Sequence, residues 1–107
     1  MDKYRHTARL LAEMTDVLKN HGEWQDKAPS AQSMASTEPF AIDSLSPIEW
    51  LQWIFIPRMQ QLVDARLPLP ETFDITPYFE EALKEQPCRG DLLKLTREID
   101  LLYRVIH

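Results

Sequence analysis

Apolar side chains recur at intervals of three and four residues along the first twenty positions, the period of an α-helix with one buried face. The stripe consists of Tyr4, Ala8, Leu11, Met14 and Leu18, and it is widened by Leu10 and Val17. Gly22 readily adopts the left-handed conformation in which many helices end. The pattern therefore predicts a helix over residues 2–21.

The next stretch, residues 23–37, follows neither the helical period nor the alternation of a strand. Small and polar side chains dominate it, which is typical of a connection. A connection of this length is unusual inside a compact domain, so we expect it either to cross the end of a helical bundle or to reach a partner. We predict a flexible linker here, with Trp24 packed back against the core.

Three signals predict that a second helix begins at Ser46. Ser46 and Glu49 have the spacing at which the hydroxyl accepts from a free backbone N–H and the carboxylate reaches back to the cap. Pro47 takes the first helical position, where its missing N–H costs nothing. Leu45 and Trp50 have the spacing of a hydrophobic staple, which fixes the angle at which the chain enters a helix.

The first half of this second helix is apolar on all of its sides, which indicates a helix surrounded by others. One stripe consists of Ile48, Leu51, Phe55, Met59 and Leu62, and the other apolar residues are Trp50, Trp53, Ile54 and Ile56. Pro57 removes one backbone hydrogen bond and clashes with the preceding turn. We therefore expect a kink near residues 53–57, or a break and a restart, before the helix ends near residue 66.

Two further helices are predicted in the C-terminal third. Thr76 is the expected cap of the third helix, with Pro77 at its first position. Glu80 and Glu81 are expected in its first turns, where the helix dipole favours anions. Asp91 is the expected cap of the last helix. The apolar stripe of that helix consists of Leu92, Leu95, Ile99, Leu102 and Ile106.

Four such helices, with no convincing strand pattern, predict an all-α fold. The expected architecture is a four-helix bundle with a kinked or broken central second helix and a long linker between helices 1 and 2. A chain of 107 residues with 44% apolar and 27% charged residues suits one folded domain, residues 1–107.

The net charge of −5 disfavours unaided binding to the phosphate backbone of nucleic acids. Residues 71–85 hold five acidic side chains and one lysine, so most of this charge lies in one segment. Such a segment could steer a basic partner, although a solvated helix face is its more frequent meaning.

Cys88 is the only cysteine, so no disulfide can form within the chain, which fits a reducing cytoplasm. Whether its thiol is reactive is left open by the sequence. The N-terminal stretch has no apolar run of signal-peptide length. The longest apolar run, WIFIP, is far shorter than the roughly 20 apolar residues that span a bilayer. We expect a cytoplasmic protein that does not enter the membrane.

The chain contains no residue spacing that is typical of catalytic or metal-binding sites. The three histidines, His6, His21 and His107, are scattered, and there is neither a Glu-x-x-His pair nor a cysteine pair. Gly22 and Gly90 are too far apart to build a phosphate-binding loop. We therefore expect no metal, no cofactor and no enzymatic activity.

The candidate interaction surface consists of Trp53, Arg58, Glu80 and Glu81. Tryptophan and arginine are enriched at binding hot spots, and the two glutamates belong to the acidic segment. If other helices surround the second helix, its rings instead belong to the core.

Two alternatives stay open: direct RNA binding, and binding of a small ligand near Trp53 and Arg58. Against the first, the basic residues of the terminal helices alternate with acidic ones, so no basic stripe forms.

Three segments, PFAIDSLSPIEWLQWIFIPRM, LPLP and PYFEEAL, resemble the YqcC-like family of small bacterial proteins, and the flanking helices match in length and pattern. The resemblance implies a compact four-helix fold and no assigned catalytic activity. Genes of this family commonly lie beside one for a tRNA pseudouridine synthase. The resemblance therefore implies an accessory, protein-interaction role, with an RNA-modifying enzyme as the expected partner. The sequence does not fix the oligomeric state.

Overall fold

The computed structural model describes residues 3–70 and 74–103, and within these ranges the chain forms helices and no strands. The helices are α1 (Lys3–Asn20), α2 (Ala31–Met34), α3 (Pro47–Trp50), α4 (Ile56–Asp64), α5 (Thr76–Ala82) and α6 (Arg89–Leu102). A 3₁₀ turn lies at Pro39–Ala41 and a π-helical turn at Leu51–Phe55. The predicted all-α class is confirmed. Because α3, the π turn and α4 follow one another without a gap, we call residues 47–64 the central rod.

The first helix ends as its sequence predicts. Gly22 has a φ of 70°, in the left-handed region. The N–H of Gly22 donates to the carbonyl of Lys19 at 3.1 Å, and the N–H of Glu23 donates to that of Leu18 at 2.8 Å. These two bonds form a Schellman motif, which satisfies carbonyls that the helix itself leaves free.

The predicted start of the central rod is confirmed. The N–H of Glu49 donates to the Ser46 hydroxyl at 3.2 Å, and the N–H of Ser46 donates to the Glu49 carboxylate at 2.9 Å. Pro47 occupies the first helical position. The reciprocal pair satisfies two backbone donors that would otherwise face solvent.

The central rod is not broken at Pro57. Trp50, Phe55 and Ile56 keep right-handed helical dihedrals, and the N–H of Ile56 donates to the carbonyl of Leu51, five residues back. A proline ring crowds the carbonyl of the preceding turn and cannot donate to it. The rod contains a wider π turn directly before the proline, a form of interruption often found at functional sites.

The start of α5 differs from the prediction. Ile75, not Thr76, is the cap residue, and its side chain makes no capping hydrogen bond. The carboxylate of Asp100, on α6, accepts instead from the N–H groups of Ile75 and Thr76. Glu80 and Glu81 therefore lie beyond the first turn, which contains no acidic residue.

The start of α6 differs as well. The carbonyl of Cys88 accepts the first helical bond, from the N–H of Leu92 at 2.9 Å, so the helix begins at Arg89. Asp91 lies inside the first turn rather than at the cap, and its carboxylate is 3.1 Å from the imidazole of His21, the residue that follows α1. Ile106, the last residue of the predicted stripe, lies outside the described residues.

Residues 23–37 contain one helical turn that the sequence pattern did not predict. The N–H of Ser33 donates to the Ser30 hydroxyl at 3.1 Å, which caps α2. Trp24 packs against the core, as expected. The predicted flexibility of this segment stays a prediction.

In the core, α1 packs against α4 and α6, and α5 packs against α6. The fully buried residues include Leu10, Met14, Leu18, Leu51, Phe79, Leu92, Ile99 and Tyr103. The central rod is buried along Leu51, Phe55 and Met59, whereas Trp50 and Trp53 are half-buried. The expectation that other helices surround the rod is therefore met on one side only.

Candidate functional site

A cleft of about 500 Å³ opens between the central rod and residues 34–41. We call it the aromatic cleft. It is lined by Met34, Ser36, Thr37, Glu38, Phe40, Ala41, Trp50, Ile54, Phe55, Arg58, Met59, Leu62, Pro70 and Ile75. Trp50, Ile54 and Arg58 are four residues apart and so share one face of the rod. The other wall comes from residues 34–41.

Five aromatic rings of the described residues pack together, and three of them, those of Phe40, Trp50 and Phe55, line the aromatic cleft. Phe40 stacks on Tyr78 with ring centres 4.0 Å apart and meets the edge of Trp50 at 4.8 Å. Trp50 in turn lies 5.3 Å from Phe55 and 5.9 Å from Phe79. Each such pair contributes about 0.5–1.5 kcal/mol beyond its buried area. The cluster joins the 3₁₀ turn, the central rod and α5 into one unit.

The wall formed by the 3₁₀ turn has an unusual backbone. Phe40 and Ala41 both have positive φ, 57° and 49°. The left-handed helical conformation costs a non-glycine residue about 1–2 kcal/mol. Hydrogen bonds from the Ala41 N–H to the Glu38 carbonyl and from the Leu45 N–H to the Ala41 carbonyl hold the turn, together with the Phe40 ring contacts. The aromatic cleft is thus built on a strained segment.

Two charged side chains of opposite sign line the aromatic cleft. Arg58 projects from the rod and Glu38 from the segment before the 3₁₀ turn, and both are exposed. Neither side chain forms an ion pair or hydrogen bond with any other residue in the described ranges. Their charges are therefore available to a bound molecule.

Tyr78 adds a neutral polar group to the aromatic cluster. Partial burial raises the pKa of its hydroxyl, since the low-dielectric surroundings disfavour the phenolate. The group therefore stays protonated near neutral pH, and the cluster itself contributes no charge.

Trp53 does not line the aromatic cleft, and its predicted place in an interaction surface stays a prediction. Its indole N–H donates to the side-chain oxygen of Gln25 at 3.1 Å, and its ring is half-buried. Trp53 follows Trp50 by three residues, but the cleft lies along the Trp50, Ile54 and Arg58 row.

Glu80 and Glu81 are exposed on α5 and lie apart from the aromatic cleft. The Glu81 carboxylate pairs with Lys84 at 3.7 Å. The Glu80 carbonyl accepts from the Arg89 guanidinium at 3.1 Å. Of the four residues predicted to form an interaction surface, the structure places only Arg58 in the cleft.

Phe40, Trp50 and Ile54 are the site residues that the predicted surface lacked. The four-residue spacing of Trp50, Ile54 and Arg58 was available as a sequence signal. Phe40 had no such signal, because its contribution depends on the left-handed turn that brings its ring onto Trp50 and Tyr78.

The part of the chain that the structure describes bears on two further kinds of chemistry, metal ligation and nucleophilic attack by a cysteine. No group of three histidine, cysteine or acidic side chains there could hold a metal ion. Cys88 is fully buried, and burial raises the pKa of its thiol, so the nucleophilic thiolate is disfavoured.

The basic side chains of α1 are partly neutralised. Arg9 donates to the Glu98 carboxylate at 2.9 Å and to the Glu13 carboxylate at 3.1 Å. The guanidinium hydrogen bond holds the pKa of Glu98 below its ordinary value.

No helix in residues 3–70 or 74–103 is long and apolar enough to cross a membrane.

Comparison with known proteins relates the whole fold to small bacterial proteins. Residues 6–102 match the model of the DUF446 family, described as tRNA pseudouridine synthase C. The chain is 38% identical over 94 residues to the uncharacterised protein YqcC of Escherichia coli, a match that covers 87% of this chain and 86% of that protein. It is 44% identical over 79 residues to an uncharacterised protein of Haemophilus influenzae, with 74% of each chain covered.

A solved structure and a longer protein are also similar. The solution NMR structure of E. coli YqcC matches with a TM-score of 0.83 and 34% identity, covering 100% of this chain and 96% of that one. A protein of Pectobacterium carotovorum named tRNA pseudouridine synthase C is 37% identical over 73 residues. That match covers 68% of this chain but 19% of the longer protein.

Proposed function

The chain belongs to the YqcC-like family, DUF446, and from this premise we propose that it is an accessory protein that docks onto a tRNA pseudouridine synthase. The observation that carries the proposal is the aromatic cleft, which is open, largely apolar and edged by Arg58 and Glu38, two charges with no ion-pair partner among the described residues. Aromatic residues, methionine and arginine are the residue types enriched in the cores of protein interfaces.

The longer relative named tRNA pseudouridine synthase C supports the choice of partner. One of its regions is similar to this chain, while most of its length lies outside the match. Two units in one polypeptide are held at a high effective concentration. A separate chain of the same family needs a docking surface to achieve the same proximity, and the aromatic cleft is suited to that task.

The proposal assigns no catalytic role to this chain. Among the described residues that line the aromatic cleft, the charged groups are the Arg58 guanidinium and the Glu38 carboxylate. They lie on different elements, with no hydrogen bond or ion pair between them. A general base held by a second group, as nucleophilic catalysis requires, is not among its described residues. Chemistry on RNA is therefore assigned to the partner.

Direct RNA binding is less well supported by the charges. The chain carries a net charge of −5, and Arg9 on α1 is already paired with two carboxylates. Nucleic-acid affinity depends largely on cations that neutralise phosphates. We therefore propose that RNA contacts belong to the enzyme in the complex.

A small ligand is the second candidate occupant, because the cleft volume of about 500 Å³ lies within the range of small-molecule sites. The lining by aromatic rings, methionines and an arginine favours a protein partner, since these residue types are enriched in the cores of protein interfaces. Thermal-shift assays across a metabolite panel would detect a ligand by a rise in Tm.

The proposed function is tested by co-purification. The tagged protein and the tRNA pseudouridine synthase C of the same organism would be expressed together, captured through the tag, treated with nuclease and analysed by size-exclusion chromatography. We expect a complex that survives nuclease treatment. Separate elution at micromolar concentrations would contradict the proposal, and loss of the complex after nuclease would favour RNA as the true ligand.

A further inference from the structure

We propose that the aromatic cleft binds one segment of the partner enzyme in a fixed direction, an inference that rests on the proposed function. The segment places bulky apolar side chains over Trp50 and Ile54, a carboxylate beside Arg58 and a cation beside Glu38. The inference defines the chemistry of the occupant and the residues that recognise it.

The apolar part of this inference follows from the rod face. Trp50 and Ile54 are half-buried and line the aromatic cleft on successive turns. Water against these side chains is displaced when an apolar side chain enters, which is the main favourable term in association. A peptide segment that carries apolar residues three or four positions apart matches two successive turns of a helix.

The direction of the segment follows from charge complementarity. Arg58 and Glu38 line the same cleft on different elements and are not paired with each other. Side chains of opposite sign in one groove attract a segment in one orientation and repel it in the other. A partner segment with an acidic residue on one side of its apolar anchors and a basic residue on the other pairs with both Arg58 and Glu38.

The strained turn supports the same location. Phe40 and Ala41 hold left-handed backbone conformations in the wall of the aromatic cleft. Strain of this kind persists only where the surrounding structure enforces it, and it clusters at binding and active sites. Here it places the Phe40 ring against Trp50 and Tyr78, which shapes one side of the cleft.

The test uses the full-length protein and the full-length enzyme, with affinity measured by isothermal titration calorimetry. Arg58→Glu and Glu38→Arg each reverse one charge of the cleft, and Ile54→Glu places a carboxylate on its apolar wall. Arg97→Glu is the matched control, because Arg97 is also exposed but lies on α6, outside the aromatic cleft. Circular dichroism and Tm measurements establish that each variant folds.

We expect Arg58→Glu and Glu38→Arg to weaken binding about tenfold each, since an attraction becomes a repulsion. Ile54→Glu should weaken binding by at least about thirtyfold, as expected of a hot spot. Arg58→Lys, which keeps the charge, should retain most of the affinity. Arg97→Glu should leave the affinity unchanged.

The results separate this inference from the proposed function. If the wild-type protein does not bind the enzyme, the proposed function fails and this inference falls with it. If the wild type binds and the three cleft variants bind as tightly as Arg97→Glu, the proposed function stands and the cleft is the wrong site.

The identity of the occupant is tested by photo-crosslinking from position 54. A benzophenone amino acid placed there should attach to one enzyme peptide, identified by mass spectrometry, that contains apolar residues flanked by an acidic and a basic side chain. Attachment to a peptide without these charges would overturn the assigned chemistry, and attachment to RNA would overturn the protein occupant.

Discussion

Polar side chains that satisfy buried backbone groups hold single elements of this protein in place. Asp100 is 8% exposed, and its two carboxylate oxygens accept from the N–H groups of Ile75 at 3.1 Å and Thr76 at 2.9 Å. The Thr76 hydroxyl donates to that of Thr96 at 3.1 Å. Since backbone donors at a helix start have no partner within the helix, α5 is capped by a residue of α6.

Replacing Asp100 by alanine should be strongly destabilising. The substitution leaves two buried N–H groups without acceptors, and each such group costs about 1–3 kcal/mol. We expect the free energy of unfolding in urea to fall by about 3 kcal/mol, and by less for Asp100→Asn, which keeps one acceptor. Asp16→Ala, at an exposed position of α1, is the control. Equal losses in the two alanine variants would contradict the capping role.

A cap is predictable from the sequence where its two partners are close neighbours in the chain. Ser46 and Glu49 are three residues apart, so their reciprocal cap was predictable from spacing alone. Asp100, which accepts from the N–H of Thr76, lies 24 residues away from it in sequence. No local pattern reports such a pair, and the start of α5 was therefore assigned to the wrong residue.

Among the elements, the π turn explains how a proline fits inside the central rod. Gln52 lies in this turn and is 3% exposed. Its side-chain oxygen accepts from the N–H of Gln25 at 2.9 Å, and its amide nitrogen donates to the carbonyl of Gln25 at 2.7 Å. The π turn thus presents one side chain that fixes the start of residues 23–37 on the rod.

Gln52→Ala should free the start of residues 23–37 from its attachment to the central rod. Both backbone groups of Gln25 lose their partner, which we expect to lower the free energy of unfolding by about 1–3 kcal/mol. Amide hydrogen exchange followed by NMR should become faster at Gln25 than in the wild type. Gln61→Ala, on the exposed side of α4, should leave exchange at Gln25 unchanged. Unaltered exchange in Gln52→Ala would mean that other contacts fix the segment.

The position of Pro57 predicted a disturbance of the rod but not its form. A kink, a break and a π turn all accommodate a proline, and the choice depends on what the displaced side chains contact. Gln25 is 27 residues from Gln52 in sequence. Of the two predicted forms, the break is absent from residues 47–64, and the kink near residues 53–57 stays a prediction. The distant contact with Gln25 gives the widened turn a partner that no local pattern reports.

The packing of α1 against α6 should show a measurable pH dependence. The hydrogen bond from Arg9 lowers the pKa of Glu98, with a smaller effect of His6. A lowered pKa in the folded state stabilises the protein fully above the ordinary glutamate value of about 4.3. That contribution is lost as the pH falls through the folded-state pKa.

We therefore expect the wild type to be slightly more stable than Glu98→Gln near neutral pH, and this advantage to disappear in acid below the folded-state pKa. The effect should be small and sensitive to salt, because the side chains of Arg9 and Glu98 are 50% and 39% exposed. Urea unfolding as a function of pH measures it, with the exposed Glu85→Gln as control. If the wild type stays more stable than Glu98→Gln at low pH, the lowered pKa of Glu98 is not the source of the difference.

For the molecule as a whole, the core and the candidate site share residues. The rings of Phe40, Trp50, Phe55, Tyr78 and Phe79 connect three separate parts of the chain, and three of these rings also line the aromatic cleft. The sequence predicted that the rod's rings pack in the core. It could not predict which of them face the cleft, because that depends on the left-handed turn at Phe40.

Trp50 and Trp53 test this division of roles, since the two half-buried indoles lie on different sides of one rod. Trp50→Ala removes a ring that contacts Phe40, Phe55 and Phe79, and should lower the free energy of unfolding by about 3 kcal/mol. That is a large share of the roughly 5–15 kcal/mol typical of a domain. Trp50→Phe should recover part of the stability.

Trp53→Ala removes one hydrogen bond, to Gln25, and a ring outside the aromatic cleft. It should cost less stability than Trp50→Ala and leave affinity for the enzyme unchanged, whereas Trp50→Phe should fold and still bind more weakly. Urea unfolding and calorimetry together distinguish the two effects. If Trp53→Ala weakens binding more than Trp50→Phe, the docking surface lies on the Gln25 side of the rod, because only that side would then have lost a contact with the partner.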